Sequence, residues 1–169
     1  MKRVSLQPVH SEAEILEVSA LAHEIWREYY GGLLSPDQIE YMLQNMQSPG
    51  PIREQIAGGY EYRLVRRAGV PIGYVAYRLN DPQGKMFVSK VYLRREERGR
   101  GYFRDILSLI DAAARDARQE AMWLTVNRGN SSADVYRACG FETVREQDVD
   151  IGGGYEMNDY VMTRAVTLD

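Results

Sequence analysis

Residues 85–127 constrain the fold of this chain more than any other stretch. "KMFVSKVYL" reads as a strand and "RREERGRG" as a loop; a helix starting near Gly101 and a buried strand "AMWLTVN" follow. In that helix Phe103, Ile106, Leu107, Ile110, Ala114 and Ala117 recur on one face. A strand that returns through a helix lies parallel to its predecessor, whereas tight turns make antiparallel neighbours. Upstream the turns are tight: "YEYRLVRRAGVPIGYVAYRL" holds two strand-like runs around "RAG", and "DPQG" leads into the next strand. The expected class is therefore α/β (α+β): a mixed sheet of about six to seven strands, mostly antiparallel with one parallel pair, flanked by about four helices.

The remaining elements follow from local signals. "RVSLQPV" alternates like a strand, and Ser11 with Glu14 forms a capping box that opens a helix running to about Tyr30. Ile15, Val18, Leu21, Ala22, Ile25 and Trp26 supply its apolar stripe, and Gly31 and Gly32 end it. Ser35, Pro36 and Gln38 predict a second capped helix, "PGP" at 49–51 punctuates it, and "IREQIAGG" predicts a short third one. Near the C-terminus "SSADVYRAC" reads as a helix stopped by Gly140, with strands in "FETVREQDVDI" and, after "GGG", in "YEMNDYVMTRAV". No repeat or linker interrupts the chain, and its 169 residues suit one domain spanning 1–169.

Charge and composition exclude several classes. With 24 acidic against 21 basic side chains and a net charge of -3, the chain lacks the general attraction that nucleic acid requires. Cys139 is the only cysteine, and His10 and His23 are the only histidines, so no intrachain disulfide, metal site or Ser-His-Asp triad is expected. His23 reads as a surface or packed helix residue and Cys139 as a small buried one. No apolar signal core or membrane span is visible, which predicts a cytoplasmic protein without a membrane partner.

The loop itself points to an anion. Arg94, Arg95, Arg98, Arg100 and Arg104 cluster against only Glu96 and Glu97. A loop that opens a helix aims unpaired N–H groups and the positive end of the helix dipole at one spot, and Gly99 and Gly101 let a phosphate approach the backbone. Taken alone, "GRG" is more often an ordinary tight turn before a helix than a phosphate site. Phe103 and Arg104 leave no third glycine for a dinucleotide fingerprint, and no Lys-Ser/Thr pair follows for a P-loop.

The stretch "VNRGNSSADVYRACGF", residues 126–141, lies one helix and one strand downstream. Its spacing of Asn130, Ala133, Tyr136, Gly140 and Phe141 resembles the second cofactor motif of the GNAT superfamily of acyl-CoA-dependent N-acyltransferases. "RGRG" resembles that family's pyrophosphate loop, and "VYLRREERGRG" the strand and loop leading into it. The resemblance covers about residues 60–166. Glu96 stands where the family often has Gln or Arg, and Phe103 where a small residue is common. The tail "DIGGGYEMNDYVM" and the N-terminal helices are similar to a bacterial subgroup that includes polyamine acetyltransferases.

The resemblance implies a GNAT fold whose central parallel strands splay apart, and acetyl-CoA as the cofactor. The main chain of Val91, Tyr92 and Leu93 would hold the pantetheine arm and thioester carbonyl. Arg98, Gly99, Arg100, Gly101, Tyr102, Phe103 and Arg104 would hold the pyrophosphate, nearby arginines would meet the 3'-phosphate, and Asn130 would touch the cofactor from the next helix. Tyr136 matches the tyrosine that protonates the departing thiolate, although a core tyrosine is the competing reading. Acetyl transfer to a small-molecule primary amine, polyamine-like by preference, is the implied activity, by direct attack in a ternary complex.

Trp26, Tyr29 and Tyr30 are candidate walls of the acceptor pocket, and Glu24, Glu28 and Asp37 candidate attractors of a cationic amine. Glu28 and Asp159 are candidate bases. A catalytically silent acyl-CoA sensor, a protein or peptide N-acetyltransferase and an unrelated phosphate-binding module stay open as alternatives, as does a homodimer.

Overall fold

The computed structural model describes residues 3–167, and its helices begin where the sequence places caps. Helix α1 (Glu12–Tyr29) starts at Ser11, whose hydroxyl accepts from Glu14 N while the Glu14 carboxylate accepts from Ser11 N. The N–H groups of Ser11 and His10, both donating to that carboxylate, hold the Glu14 carboxyl down at a pKa of about 2. Helix α2 (Pro36–Met46) has Ser35 as its cap. Only half of the expected box forms there, because the Gln38 side chain donates to Glu156 O at 3.1 Å instead of returning to the cap. Helix α3 (Pro49–Ala57) takes "PGP" into its first turn, where missing N–H groups cost nothing, so this segment starts a helix rather than merely ending the previous one. With α4 (Tyr102–Asp116) and α5 (Ser132–Ala138) the described residues hold five α-helices, one more than the expected four or so.

The strands are β1 (Ser5–Pro8), β2 (Tyr60–Arg67), β3 (Val70–Arg78), β4 (Lys85–Leu93), β5 (Ala121–Asn127), β6 (Glu142–Gly152) and β7 (Tyr155–Ala165). They form one sheet in the order β1-β2-β3-β4-β5-β7-β6, antiparallel throughout except for β4 and β5. Among the described residues no helix is long and apolar enough to cross a membrane.

Each face of the sheet buries one apolar layer. Helices α1, α2 and α3 pack Ile25, Leu43 and Ile52 against Tyr62, Leu64, Tyr74 and Ala76. On the other face the α4 stripe, Ile106, Leu107, Ile110 and Ala114, meets Met122, Leu124 and Val126, the inward half of the alternation in β5. Strand β3 is buried on both faces, and Gly73 brings its backbone close to β4. A Cβ at Gly73 would stand 2.1 Å from Tyr92 O, so a side chain there would displace β4 where it enters the candidate site.

Candidate active site

Strands β4 and β5 pair for only three positions, Lys85↔Ala121, Met86↔Met122 and Phe87↔Trp123. Phe87 stacks on Trp123 at 4.3 Å where the ladder ends. Beyond that point β4 stays bonded to β3 but makes no ladder with β5. Ala76 faces Lys90 and Tyr77 faces Val88, so Ser89 is the extra residue of a bulge, a device that bends a strand and re-aims its side chains. The freed edge of β4 offers backbone donors and acceptors to an extended ligand.

The chain then turns through Arg95–Glu97 to Gly99 and Gly101, with φ of 76° and 85°, values that side chains other than glycine rarely adopt. Gly101 is the N-cap of α4, and the N–H groups of Gly99, Arg100, Gly101, Tyr102 and Phe103 donate to no acceptor among the described residues. Five free donors at the positive end of a 15-residue helix make an anion cradle. The adjoining cavity, of about 300 Å³, is lined by Val91, Leu93, Arg98, Gly99, Gly101, Phe103 and Arg104, among others. Tyr102 contributes only its backbone, because its ring is buried beneath the guanidinium groups of Arg3 and Arg67. Arg100 is exposed, and its carbonyl accepts from Arg3 at 2.8 Å.

Two of the clustered arginines are already paired. Arg98 lies 2.7 Å from Glu28, and Arg94 lies 3.3 Å from Glu24. Arg95, Arg100 and Arg104 are exposed and form no ion pair with the described residues. Glu24 and Glu28 therefore face the glycine loop, and exposed Asp37 sits in the first turn of α2. None of the three lines the second cavity, where an acceptor would have to meet them.

That second cavity, of about 220 Å³, lies between α1, α2 and the parted strands, and shares Tyr29, Val91, Tyr92, Phe103 and Ser132 with the first. Trp26, Tyr29 and Tyr30 do line it. Tyr30 and Tyr92 share a 2.8 Å hydroxyl contact, and burial raises the pKa of both phenols. Tyr29 spans the two walls: its hydroxyl bonds Ser132 Oγ and accepts from Asn130 Nδ2 at 2.7 Å. Asn130 also accepts from Ser132 N at 2.9 Å, so it braces the start of α5 as well as Tyr29. The β6–β7 hairpin packs on α2, where Tyr41 donates to Ile151 O at 3.1 Å. A Cβ on Gly152 or Gly153 would come within 2.5 Å or 2.8 Å of the Tyr41 ring system, which accounts for glycine at both positions.

Besides Tyr29, Tyr30 and Tyr92, three titratable groups line this cavity. Tyr136 is buried between Phe103 and Phe141 with ring centroids 5.3 Å and 5.5 Å away, and its hydroxyl bonds to no described residue. Desolvation raises its pKa far above that of an ordinary phenol, so it carries its proton at neutral pH. Asp159 is only 6% exposed, and its Oδ1 has no hydrogen-bond partner among the described residues. Burial lifts its carboxyl to about 6, against a weaker opposing pull from Arg128, which is itself held by Asp148 at 2.6 Å.

Lys90, which the sequence reading passed over, is the third; desolvation brings its ammonium down to about 8. Its signal was a cation within "FVSKVYL", two residues before Tyr92 and so on the same face of the strand.

Similarity to known proteins agrees with this architecture. The model of the acetyltransferase (GNAT) family matches residues 18–141. No curated protein matches the chain significantly in sequence. Among solved structures, the PaiA N-acetyltransferase of Thermoplasma acidophilum in complex with coenzyme A is 18% identical. It aligns over 96% of this chain and 98% of its own, with a TM-score of 0.77. An acetyltransferase of Thermus thermophilus is 19% identical over 98% of this chain and 99% of its own, with a TM-score of 0.67. The ribosomal-protein-alanine N-acetyltransferase of Brucella melitensis is 18% identical over 96% and 98%, with a TM-score of 0.63. These likenesses concern the fold, whereas the family match extends over well over half of the sequence and includes both the glycine loop and the Tyr136 helix: the chain belongs to the acetyltransferase (GNAT) family.

Proposed function

We propose that this protein transfers the acetyl group of acetyl-CoA to the primary amine of a small molecule by direct attack in a ternary complex. The observation that carries the reading is one continuous cleft with a backbone anion cradle at one end and an unpaired acid and base at the other. The cleft fits the cofactor in parts: free N–H groups from Gly99 to Phe103 for the pyrophosphate, and the unladdered edge of β4 at Val91, Tyr92 and Leu93 for the pantetheine arm. Arg98, Arg100 and Arg104 supply positive charge around it, and Asn130 lies at the junction of the two cavities through its bond to Tyr29. The neighbour solved with coenzyme A supports the same choice of ligand.

Acetyl-CoA supplies an activated thioester carbonyl. Asp159 takes the proton from the incoming ammonium, which frees the nitrogen lone pair for attack. Tyr136 gives its phenolic proton to the sulfur as the carbon–sulfur bond breaks, and its raised pKa keeps that proton available. A small acceptor is favoured over a polypeptide because the β6–β7 hairpin is bonded down onto α2 beside the cavity. The polyamine preference loses the support of Glu24 and Glu28, which pair with arginines. The cytoplasmic setting expected from the sequence belongs to this reading.

If the loop backbone holds the pyrophosphate, Gly101→Val should abolish measurable acetyl-CoA binding in calorimetry, because a branched side chain strains a backbone with a φ of 85°. Arg100→Ala should weaken binding by less than about tenfold and in a salt-dependent way, as for an exposed charge. Equal losses would place the binding energy in side chains.

Replacing Tyr136 by Phe removes one hydroxyl and keeps the ring between Phe103 and Phe141. Turnover should fall about 10²–10⁴-fold while acetyl-CoA affinity stays within about twofold. Near-normal turnover in the folded variant would return Tyr136 to a packing role.

Asp159 should give kcat/KM an acidic limb near pH 6, since below that value the base is protonated. Asp159→Asn should lose both the limb and most activity. Its fold readout has a definite sign. The native pKa lies above the ordinary aspartate value of 3.8, so the native state binds the proton more tightly and loses stability as pH rises from there to about 6. The Asn variant should therefore melt higher than wild type at pH 7, with the difference vanishing near pH 4. A limb that survives in the variant would assign the base elsewhere.

A further inference from the structure

The acceptor cavity carries two charges that the protein leaves unsatisfied, and they are of opposite sign. On β4, the Lys90 Nζ makes one hydrogen bond, to Ser89 Oγ at 2.9 Å, and lies 5.9 Å from the centre of the Tyr62 ring. It forms no ion pair with any described residue, and the hydroxyl groups around it are committed elsewhere. Tyr62 donates to Gln55 Oε1 at 2.5 Å and accepts from Gln47 Nε2 at 3.0 Å, Tyr74 donates to Gln47 Oε1 at 2.7 Å, and Tyr30 and Tyr92 bond to each other. An ammonium needs three acceptors, and this one has a single neutral oxygen. On β7, the Asp159 Oδ1 is buried without a partner.

Strand β5 and the gap between the parted strands separate the two groups. Two strand spacings amount to about 10 Å, and the parting adds to that. Unlike charges held apart in one cavity, each short of partners, are complementary to a ligand that carries both signs. A buried unpaired charge is costly, so the site is poised for an acceptor that supplies the missing partners.

We propose that the acceptor is an amino carboxylate, whose amine is received by Asp159 and whose carboxylate is bound by the ammonium of Lys90. This rests on the acetyltransfer reading and narrows it: Lys90 is a specificity-determining residue that binds substrate away from the reacting atoms. A di- or polyamine would instead set a second ammonium against Lys90, and like charge in a desolvated site is a strong rejection. The ammonium, brought down by desolvation to about 8, remains mostly charged at neutral pH and able to serve.

The test compares matched acceptors on the intact protein with acetyl-CoA: several amino acids, their amides and their decarboxylated amines. The carboxylate member of each set should be favoured in kcat/KM by about 100-fold or more, as expected when a built polar group is left unpaired by the wrong substrate. Lys90→Met should reduce that preference to within about fivefold, mainly by raising KM for the carboxylate, and should raise the melting temperature by removing a desolvated charge. Calorimetry of the same acceptors on the CoA-bound protein reads the selectivity without turnover. Carboxylate-selective binding with no acetyl transfer would sink the catalytic reading and support this one. Preference for the decarboxylated amines would overturn the proposal, as would a Lys90→Met variant that loses all acceptors equally or loses acetyl-CoA affinity.

Discussion

The parting of β4 from β5 after Phe87 is the constraint on which the rest of the site depends. Strand pairing normally continues until a turn stops it, and a free edge inside a sheet leaves amide groups without partners. Here several features converge to hold the strands apart. The Ser89 bulge bends β4, the bare Gly73 pulls it toward β3, and α4 fixes Met122, Leu124 and Val126 of β5 on its own face. A ligand that pairs with the open edge offsets its cost, and in the function we propose that ligand is the pantetheine arm.

Charge is distributed along the cleft in a matching order. At the loop end the free N–H groups and the exposed Arg95, Arg100 and Arg104 make a cationic rim on a protein whose net charge is -3. Glu24 and Glu28 neutralise Arg94 and Arg98 from α1, so a polyanion arriving at the loop competes with carboxylates already in place. Tyr29 and Asn130 stand at the middle, where the two cavities meet. At the far end the proposed acid and base, Tyr136 and Asp159, are of well-separated strength, the separation coming from burial acting on a phenol and on a carboxyl.

Much of the fold was legible because its signals are local. The Ser11–Glu14 box, the stripe of α4, the glycines at 99 and 101 and the alternation of β5 each act within a few residues, and the structure forms the elements they predict. What local pattern missed was decided by distant partners. Gln38 has the spacing of a capping box but finds Glu156, 118 residues away, more favourable. Glu28 is an acid beside an aromatic wall in sequence, but a partner of Arg98 in space. The triple glycine only separates two strands in sequence, and the reason for Gly152 and Gly153 emerges when Tyr41 is seen against them. Lys90 was hidden for the opposite reason: a lone lysine in an apolar strand is ordinary in sequence, and only the exhausted hydrogen-bonding of Tyr62, Tyr74 and Gln47 shows that Ser89 is the one hydrogen-bond partner it has among the described residues.

Hydrogen exchange at the β4 edge and the glycine loop tests the central claim most directly. Saturating acetyl-CoA should slow exchange at residues 88–93, where β4 has a ladder with β3 but none with β5, and at the N–H groups of residues 99–103, which have no acceptor among the described residues; it should leave the β2–β3 ladder unchanged, while ATP at the same concentration should protect the loop at most. Protection confined to some other surface, or equal protection of β4 by ATP, would contradict the account.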